Sequence, residues 1–224
     1  MIGFVIALKS ESKYFFEKVS NLTRVKLADK EAYTCTINGY QAVVAISGIG
    51  KVNAGLTTQL LIDEFKVDAI INFGTCGGMN DSVEILKYYA IDECCQFDFD
   101  LRQLDPVPLG YIQDYDRVFF PAITTGIDLP VSKVASADRF TNDLCDINAI
   151  NELGCSLRDM ECGAIGQVCL SNNKPLFAIK GVTDVFGSQT AQEQFYKNLT
   201  TVCKGFAEII VDATDKICKT LNLK

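Results

Sequence analysis

The sequence predicts a three-layer α/β/α domain with a central mixed, mostly parallel sheet, formed by residues 1–224 as a single domain. Continuous apolar runs, including Ile2 to Leu8 and Val67 to Phe73, are typical of strands buried on both faces of such a sheet. Segments with helical spacing of apolar residues separate these runs. Because parallel strands need a crossover, usually a helix, this alternation predicts the α/β class.

Local patterns predict the elements of the first half. A helix follows the first strand and carries Phe15 on its inner face. Asn38-Gly39 lies between two apolar segments, and Asn-Gly is the dipeptide preferred by two-residue hairpin turns. We therefore predict a hairpin with strands over residues 33–37 and 41–46. A glycine turn and an amphipathic helix follow over residues 47–65.

The second half continues the alternation of strands and helices. The strand over residues 67–73 is predicted to end in a glycine turn, Gly74 to Gly78. Another apolar strand, over residues 176–179, leads to Thr183-Asp184. The remaining predictions are strands over residues 88–99 and 131–136, a long loop over 100–120, and helices over 142–153 and 192–221.

Composition and charge exclude several classes of protein. Apolar residues make up 48% of the 224 residues, enough for a substantial core. The net charge is −7 and no Lys/Arg cluster exists, so nucleic acid is not an expected partner. The apolar N-terminal run lacks a basic n-region and a cleavage site and is far too short to span a membrane. We expect a cytoplasmic protein with no membrane partner.

The ten cysteines are interpreted as reduced structural thiols. They are scattered, none forms a C-x-x-C pair, and Cys162 and Cys169 fit the buried side of a predicted helix. Disulfides or a metal site are the less favoured alternatives. The chain has no His, which removes the usual zinc and iron ligand sets, so no metal is expected. Cys76 also lacks a His that could deprotonate it as a nucleophile.

Two glycine-rich segments follow predicted strands. Gly48-Ile49-Gly50-Lys51 matches neither the phosphate loop nor the dinucleotide fingerprint, which favours a tight strand-to-helix turn. The Gly74–Gly78 segment has two interpretations, and the sequence does not decide between them. Its glycines either let the backbone approach a ligand closely or serve a turn that needs positive φ.

Acid–base chemistry in a chain without His depends on carboxylates. Glu11 follows the first strand, Asp184 follows a later one, and Glu161 precedes a helix. Each alone is more often a cap or a solvated charge. Three carboxylates at strand ends of one α/β domain nevertheless indicate a candidate site, since ligands bind at the carboxyl ends of such strands.

Four blocks resemble the nucleoside phosphorylase/nucleosidase superfamily, and within it the 5'-methylthioadenosine/S-adenosylhomocysteine nucleosidases. The blocks are IGFVIALKSE, SGIGKVNAG, VDAIINFGTCGG and MECGAIGQVC…FAIKGVTD, which span residues 2–184 in the family's order. The combination is specific, whereas each block alone is not. The resemblance implies a nucleoside phosphorylase-like fold, a small-molecule nucleoside substrate, no cofactor, and a homodimer.

The resemblance also assigns roles to individual residues. Glu11 corresponds to the residue that activates the attacking water, and Asp184 to the acid that protonates purine N7. Met160 and Glu161 correspond to the ribose clamp. The other implied contacts are Phe140 stacking on the base, Thr141 at its edge, Thr75 and Gly77 beside the sugar, and Leu8 and Ile49 near the 5' substituent.

Two alternatives to a hydrolase remain open. A purine nucleoside phosphorylase would hold phosphate with arginines, but no arginine precedes Arg24, and Asn72 stands before Phe73-Gly74. A non-catalytic nucleoside-binding homologue is disfavoured because the three carboxylates are present. The chain departs from the family in having Lys180 where arginine is usual and Thr183 where serine is usual; neither change removes the chemistry.

Overall fold

The computed structural model describes residues 1–140, 143–186 and 190–223. The strands are β1 (Ile2–Ile6), β2 (Ser20–Leu27), β3 (Lys30–Ile37), β4 (Tyr40–Ile46), β5 (Ala69–Gly78), β6 (Tyr88–Gln96), β7 (Phe120–Pro121), β8 (Val131–Ser136), β9 (Leu157–Asp159) and β10 (Leu176–Val185). The helices are α1 (Lys9–Phe16), α2 (Lys51–Phe65), α3 (Leu144–Glu152), α4 (Cys162–Ser171) and α5 (Ala191–Thr220). The predicted α/β class is confirmed.

All ten strands belong to one mixed sheet. β1 pairs in parallel with β4 and β5, β10 with β5, and β8 with both β6 and β9. The other five pairings are antiparallel, so parallel pairs form half of the sheet and not most of it. The extra antiparallel pairs come from the hairpin strands at one end and from short β7 and β9. β5, β10, β6, β8 and β9 close into a ring.

Helices cover both faces of the sheet, as the three-layer prediction requires. Ile2, Phe4 and Ile6 of β1 pack in a cluster that contains Phe206 and other residues of α5. Val5, on the opposite face of the same strand, packs in a second cluster with residues of α2 and α4. Successive side chains of a strand point to opposite faces, so a strand that is apolar at every position is buried on both sides.

The hairpin prediction is confirmed. β3 and β4 pair antiparallel with Ile37 opposite Tyr40, leaving Asn38 and Gly39 as the two-residue turn. Their φ angles are 49° and 89°, and positive φ at both positions is what the type I′ turn needs.

The predicted glycine turn over residues 74–78 is wrong. This segment continues β5 to Gly78 and keeps two strand neighbours, β10 on one side and β9 on the other. Neither Gly74 nor Gly77 is among the residues with positive φ, so the turn interpretation does not apply. The sequence left two interpretations open. The backbone conformation excludes the turn and allows the other, in which the glycines let another group approach the backbone closely.

Other boundaries differ modestly from the predictions. β2 was not predicted, because its residues are mostly exposed and polar and lack strand alternation. The strand predicted over residues 88–99 ends at Gln96, and the closing helix begins and ends one residue earlier than predicted. The long loop holds the short 3₁₀ turn Gln113–Tyr115, an isolated bridge between Ile112 and Arg117, and β7.

The cysteines behave as small apolar residues. All ten are free thiols, and Cys145 is the single exposed one. Cys162 and Cys169 lie on the buried side of α4, as predicted. Within the described ranges, no helix combines the length and hydropathy that a membrane span requires.

Candidate active site

One cavity of about 350 Å³ gathers the predicted site residues at the carboxyl ends of the strands. Thr141 lies outside the described residues. The other nine residues predicted to act in catalysis or binding all line the cavity: Leu8, Glu11, Ile49, Thr75, Gly77, Phe140, Met160, Glu161 and Asp184. Residues up to 176 positions apart in the chain thus meet at one place, between Leu8 and Asp184.

Glu11 lies in the first turn of α1 and is buried. Its carboxylate accepts hydrogen bonds from the Leu8 N–H at 3.0 Å and from the Thr75 N–H and hydroxyl at 2.7 and 2.9 Å. A Cβ atom added to Gly74 would come within 3.0 Å of Glu11 Oε1, so glycine makes room for this carboxylate. Burial raises the pKa of Glu11, and the hydrogen bonds from Thr75 and Leu8 oppose the rise.

Asp184 lies near the end of β10, at an irregularity in the sheet. The register between β10 and β5 shifts between Val182 and Asp184, so one extra residue, Thr183, bulges out. A bulge re-aims the following side chain, and Asp184 faces the cavity. Its carboxylate accepts from the Thr183 hydroxyl at 2.9 Å and from Arg158 Nη2 at 2.8 Å. Burial raises the pKa of Asp184 despite the opposing charge of Arg158.

Arg158 enters the site from β9, beside β5. Gly77 is the sheet partner of Asp184 on one side and of Arg158 on the other. A Cβ atom on Gly77 would lie 2.6 Å from Arg158 Nε, so only glycine leaves space for the guanidinium. The guanidinium carbon lies 4.8 Å from the centroid of the Phe140 ring, in cation–π contact.

Glu161 precedes α4 and is held by the first glycine segment. The Gly50 N–H donates to Glu161 Oε1 at 3.0 Å, and Gly50 has a φ of 99° that favours glycine. The segment over residues 48–51 therefore positions a carboxylate, in agreement with its interpretation as a turn and not a phosphate loop. Burial, followed by the charge of Asp159, raises the pKa of Glu161 to about 7.

A buried cation lies behind these carboxylates. Lys180 Nζ is 2.7 Å from Asp159 Oδ2, and both side chains are almost completely buried. The same carboxylate accepts from the Ser136 hydroxyl and from the Cys162 N–H. Burial alone would lower the pKa of Lys180, but the neighbouring carboxylates raise it above its ordinary value. The charge of Lys180 in turn opposes the rise that burial causes in the pKa of both Glu11 and Glu161.

Apolar and aromatic side chains form the more open side of the cavity. Phe140 is 51% exposed and meets Phe195 of α5 edge to face, with ring centroids 6.2 Å apart. Ile49 is also about half exposed. Flat aromatic faces at a cavity mouth suit a planar ring, whereas the deep end of this cavity carries the charges.

Cys76 and metal chemistry gain no support from the described residues. Cys76 is buried, and burial raises its pKa well above the ordinary value, which opposes thiolate formation. Across residues 1–140, 143–186 and 190–223, no group of three or more Cys, Asp or Glu side chains is arranged to hold a metal ion.

Comparison with known proteins decides the family. Residues 2–214 match the sequence profile of the phosphorylase superfamily. The chain belongs to the phosphorylase superfamily. This membership confirms the resemblance identified from the four sequence blocks.

Members of the superfamily with assigned activities match almost the whole chain. A 5'-methylthioadenosine/S-adenosylhomocysteine nucleosidase of Halalkalibacterium halodurans is 32% identical over 94% of this chain and 96% of its own length. A nucleosidase of the same name from Geobacillus thermodenitrificans is 31% identical over 92% of each chain. The structure of a Helicobacter pylori nucleosidase of this kind, bound to an inhibitor, has a TM-score of 0.88 at 22% identity and covers 96% of this chain and 97% of its own.

The resemblance names nine residues that line this cavity, but it omits the two cations. It gives Arg158 no role and accounts for Lys180 only as a replacement for arginine. A lone lysine inside the apolar strand over residues 176–185 was an available signal, because a buried charge needs a partner. Arg158 gave no comparable signal, since its position depends on a three-residue strand.

Proposed function

We propose that this protein hydrolyses the N-glycosidic bond of 5'-methylthioadenosine and S-adenosylhomocysteine, releasing adenine and a 5-thioribose product. The observation that carries the proposal is the meeting of two buried carboxyl groups, Glu11 and Asp184, in a single cavity whose mouth is aromatic. The names of relatives about 30% identical over nearly the full chain support the same activity. No cofactor is needed for this reaction.

Glu11 activates the water. Cleavage of the bond between C1' and N9 builds positive charge on the ribose, and a carboxylate beside the sugar stabilises that charge and accepts a proton from the attacking water. The hydrogen bonds from Leu8 and Thr75 fix the orientation of Glu11, so its carboxylate needs no rearrangement during the reaction. Burial raises the pKa of Glu11, and the hydrogen bonds from Thr75 and Leu8, with the charge of Lys180, oppose that rise.

Asp184 supplies a proton to the leaving base. The electron pair of the broken bond passes to the purine, and protonation at N7 neutralises it. A general acid must hold its proton near neutral pH, and burial raises the pKa of Asp184 in the required direction. The Thr183 hydroxyl and Arg158 hold the carboxyl group in place.

Glu161 and Met160 bind the ribose, with Phe140 stacking on the base. Glu161 has one oxygen bonded to Gly50, and its carboxylate faces the same cavity as Thr75 and Gly77. An ionised carboxylate accepts hydrogen bonds from neighbouring sugar hydroxyls. Leu8 and Ile49 give the 5' substituent an apolar surface.

This cavity is better suited to bind water than phosphate as the attacking nucleophile. The two buried cations, Lys180 and Arg158, are each bound to a carboxylate, Asp159 and Asp184. A phosphate dianion beside Glu11 would meet negative charge without an arginine fork to hold it. This arrangement disfavours the phosphorylase alternative.

Base release should therefore proceed at full rate in phosphate-free buffer, giving adenine and 5-methylthioribose from 5'-methylthioadenosine. Chromatography of the products with and without phosphate measures both the rate and the sugar product. A ribose 1-phosphate product, or turnover that depends on phosphate, would establish the phosphorylase alternative. Binding of the nucleoside without any base release would establish the non-catalytic one.

The pH dependence of kcat/KM should follow the ionisation of Glu161. Its pKa is about 7 in the free protein, and only the ionised form accepts hydrogen bonds from both hydroxyls. The ionised fraction falls as the pH drops below the pKa, so kcat/KM should decline there by up to about tenfold per pH unit. In Glu161→Gln, which does not titrate at this position, the part of the decline that Glu161 causes should be absent, and only the part due to protonation of Glu11 should remain. A wild-type profile that stays flat from about pH 8 to about pH 5 would remove Glu161 from substrate binding.

We also propose that the protein is a cytoplasmic homodimer. Ile49, Val52 and Leu56 are exposed, and their spacing of three and four residues places Val52 and Leu56 on one side of α2, next to the cavity mouth. An exposed apolar strip at this place suits contact with a second copy. The mass in solution, compared with that of Val52→Glu, tests the assembly.

A further inference from the structure

Arg158 and Asp184 form a buried ion pair in the part of the cavity assigned to the purine base. This pair takes no part in activating the water. Arg158 and Asp184 are both nearly inaccessible, and Nη2 lies 2.8 Å from Oδ2. Burying two opposite charges costs several kcal/mol of desolvation, and an apolar pair of similar volume is often as stable. Stability alone therefore gives no reason for an arginine at this place.

Geometry places the guanidinium where a base would contact it. Arg158 lines the cavity and lies over the ring of Phe140, the residue assigned to base stacking. Gly77 leaves the space that this approach needs. Because the guanidinium is hydrogen-bonded to Oδ2 of Asp184, a base atom that meets this oxygen lies close to Arg158 as well.

The chemistry of the purine edge limits what Arg158 can recognise there. On the proposed function, Asp184 faces N7. The polar neighbour of N7 on that edge is the substituent on C6, since the other neighbour, C8, carries only hydrogen. A 6-oxo group accepts hydrogen bonds and a 6-amino group donates them. A guanidinium carries donors only, and its fork fits the N7 and O6 acceptors of a 6-oxopurine.

We propose that Arg158 extends the activity of this site to 6-oxopurine nucleosides, by donating a hydrogen bond to O6 while Asp184 serves N7. The inference rests on the proposed function for the assignment of Asp184 to N7. A 6-amino base uses the same pair differently, because its N–H can donate to the Asp184 carboxyl group beside the guanidinium. The substituent on C6, which distinguishes the two classes of base, thus meets a hydrogen-bond donor in Arg158 and an acceptor in Asp184.

The experiment compares 5'-methylthioinosine with 5'-methylthioadenosine in the wild type, Arg158→Met and Arg158→Lys. We expect the wild type to release hypoxanthine as well as adenine. A hydrogen bond to a charged group is worth about 1.5–3 kcal/mol, so Arg158→Met should lower kcat/KM for the 6-oxo nucleoside by roughly 10- to 150-fold more than for the 6-amino one. Arg158→Lys, which keeps the charge but not the fork, should show an intermediate ratio.

The ratio of the two substrates separates recognition from structural damage. Loss of folding lowers the rates for both nucleosides alike and cancels in the ratio. Arg24→Met, on the exposed edge strand β2, is the matched control and should leave both rates unchanged. An equal loss for both nucleosides in Arg158→Met would overturn the proposal, as would a wild type that releases no hypoxanthine and does not bind it.

Failure of the proposed function gives a different result. A wild type that cleaves neither nucleoside contradicts nucleosidase activity, and the base recognition is then decided by calorimetry with free hypoxanthine and free adenine. Weaker hypoxanthine binding in Arg158→Met, with adenine binding less affected, would support the role of Arg158. Equal binding of hypoxanthine to both proteins would overturn it.

Discussion

Asp184→Asn should lower kcat for base release by roughly 10²- to 10⁴-fold, the usual contribution of general-acid catalysis, while the protein stays folded. Asparagine has the same shape. Its amide oxygen, placed at Oδ2, can still accept from Arg158 Nη2, and its amide nitrogen, placed at Oδ1, can donate to the oxygen of the Thr183 hydroxyl. The amide cannot release a proton, so the purine has to leave with its negative charge unneutralised. Steady-state kinetics with 5'-methylthioadenosine measure the effect.

The loss should fall on kcat more than on KM. The amide can still hydrogen-bond N7 in the ground state, whereas proton transfer matters in the transition state. Asp212→Asn, which changes an exposed carboxylate of α5 paired with Lys216, is the control and should retain full activity. A folded Asp184→Asn protein with near-normal kcat would show that another group protonates the base.

The fold was predictable because its strands and helices are marked by local patterns. The run from Ile2 to Ile6 is apolar at every position because helices cover both faces of β1. The segment from Gly74 to Gly78 misled the prediction, since glycine usually marks a turn. Here the glycines lie within a strand, where Glu11 and Arg158 approach the backbone. No local pattern distinguishes these two uses of glycine.

Residues tied to a sequence block, as Glu11 and Asp184 are, could be predicted to lie near each other, and both line the cavity. The partners of these residues depend on strand register, which the sequence does not reveal. Arg158 meets Asp184 only because β9 and β10 both pair with Gly77 of β5, from opposite sides. The bulge at Thr183, which directs Asp184 into the cavity, is a feature of the same pairing. Which charged residues pair in the site can therefore be read from the structure but not from the sequence.

Lys180→Met should lower the free energy of unfolding by about 3–5 kcal/mol, because it leaves the carboxylate of Asp159 buried without its cation. Lys180 and Asp159 are each about 1% exposed, and Nζ lies 2.7 Å from Oδ2. Denaturation by urea, followed by circular dichroism, measures the loss. The matched control is Lys18→Met, whose exposed pair with Glu208 should contribute no more than about 1 kcal/mol.

Neutralising the carboxylate should recover much of this stability. In Lys180→Met/Asp159→Asn, the amide oxygen, placed at Oδ2, can still accept from the Cys162 N–H, and the amide nitrogen can donate to the oxygen of the Ser136 hydroxyl. No uncompensated charge remains buried. The single variant should also raise the pKa of Glu161, since Lys180 lowers it in the wild type, and thus move the low-pH decline in kcat/KM to higher pH. A Lys180→Met protein as stable as Lys18→Met would show that the ion pair between Lys180 and Asp159 does not stabilise the fold.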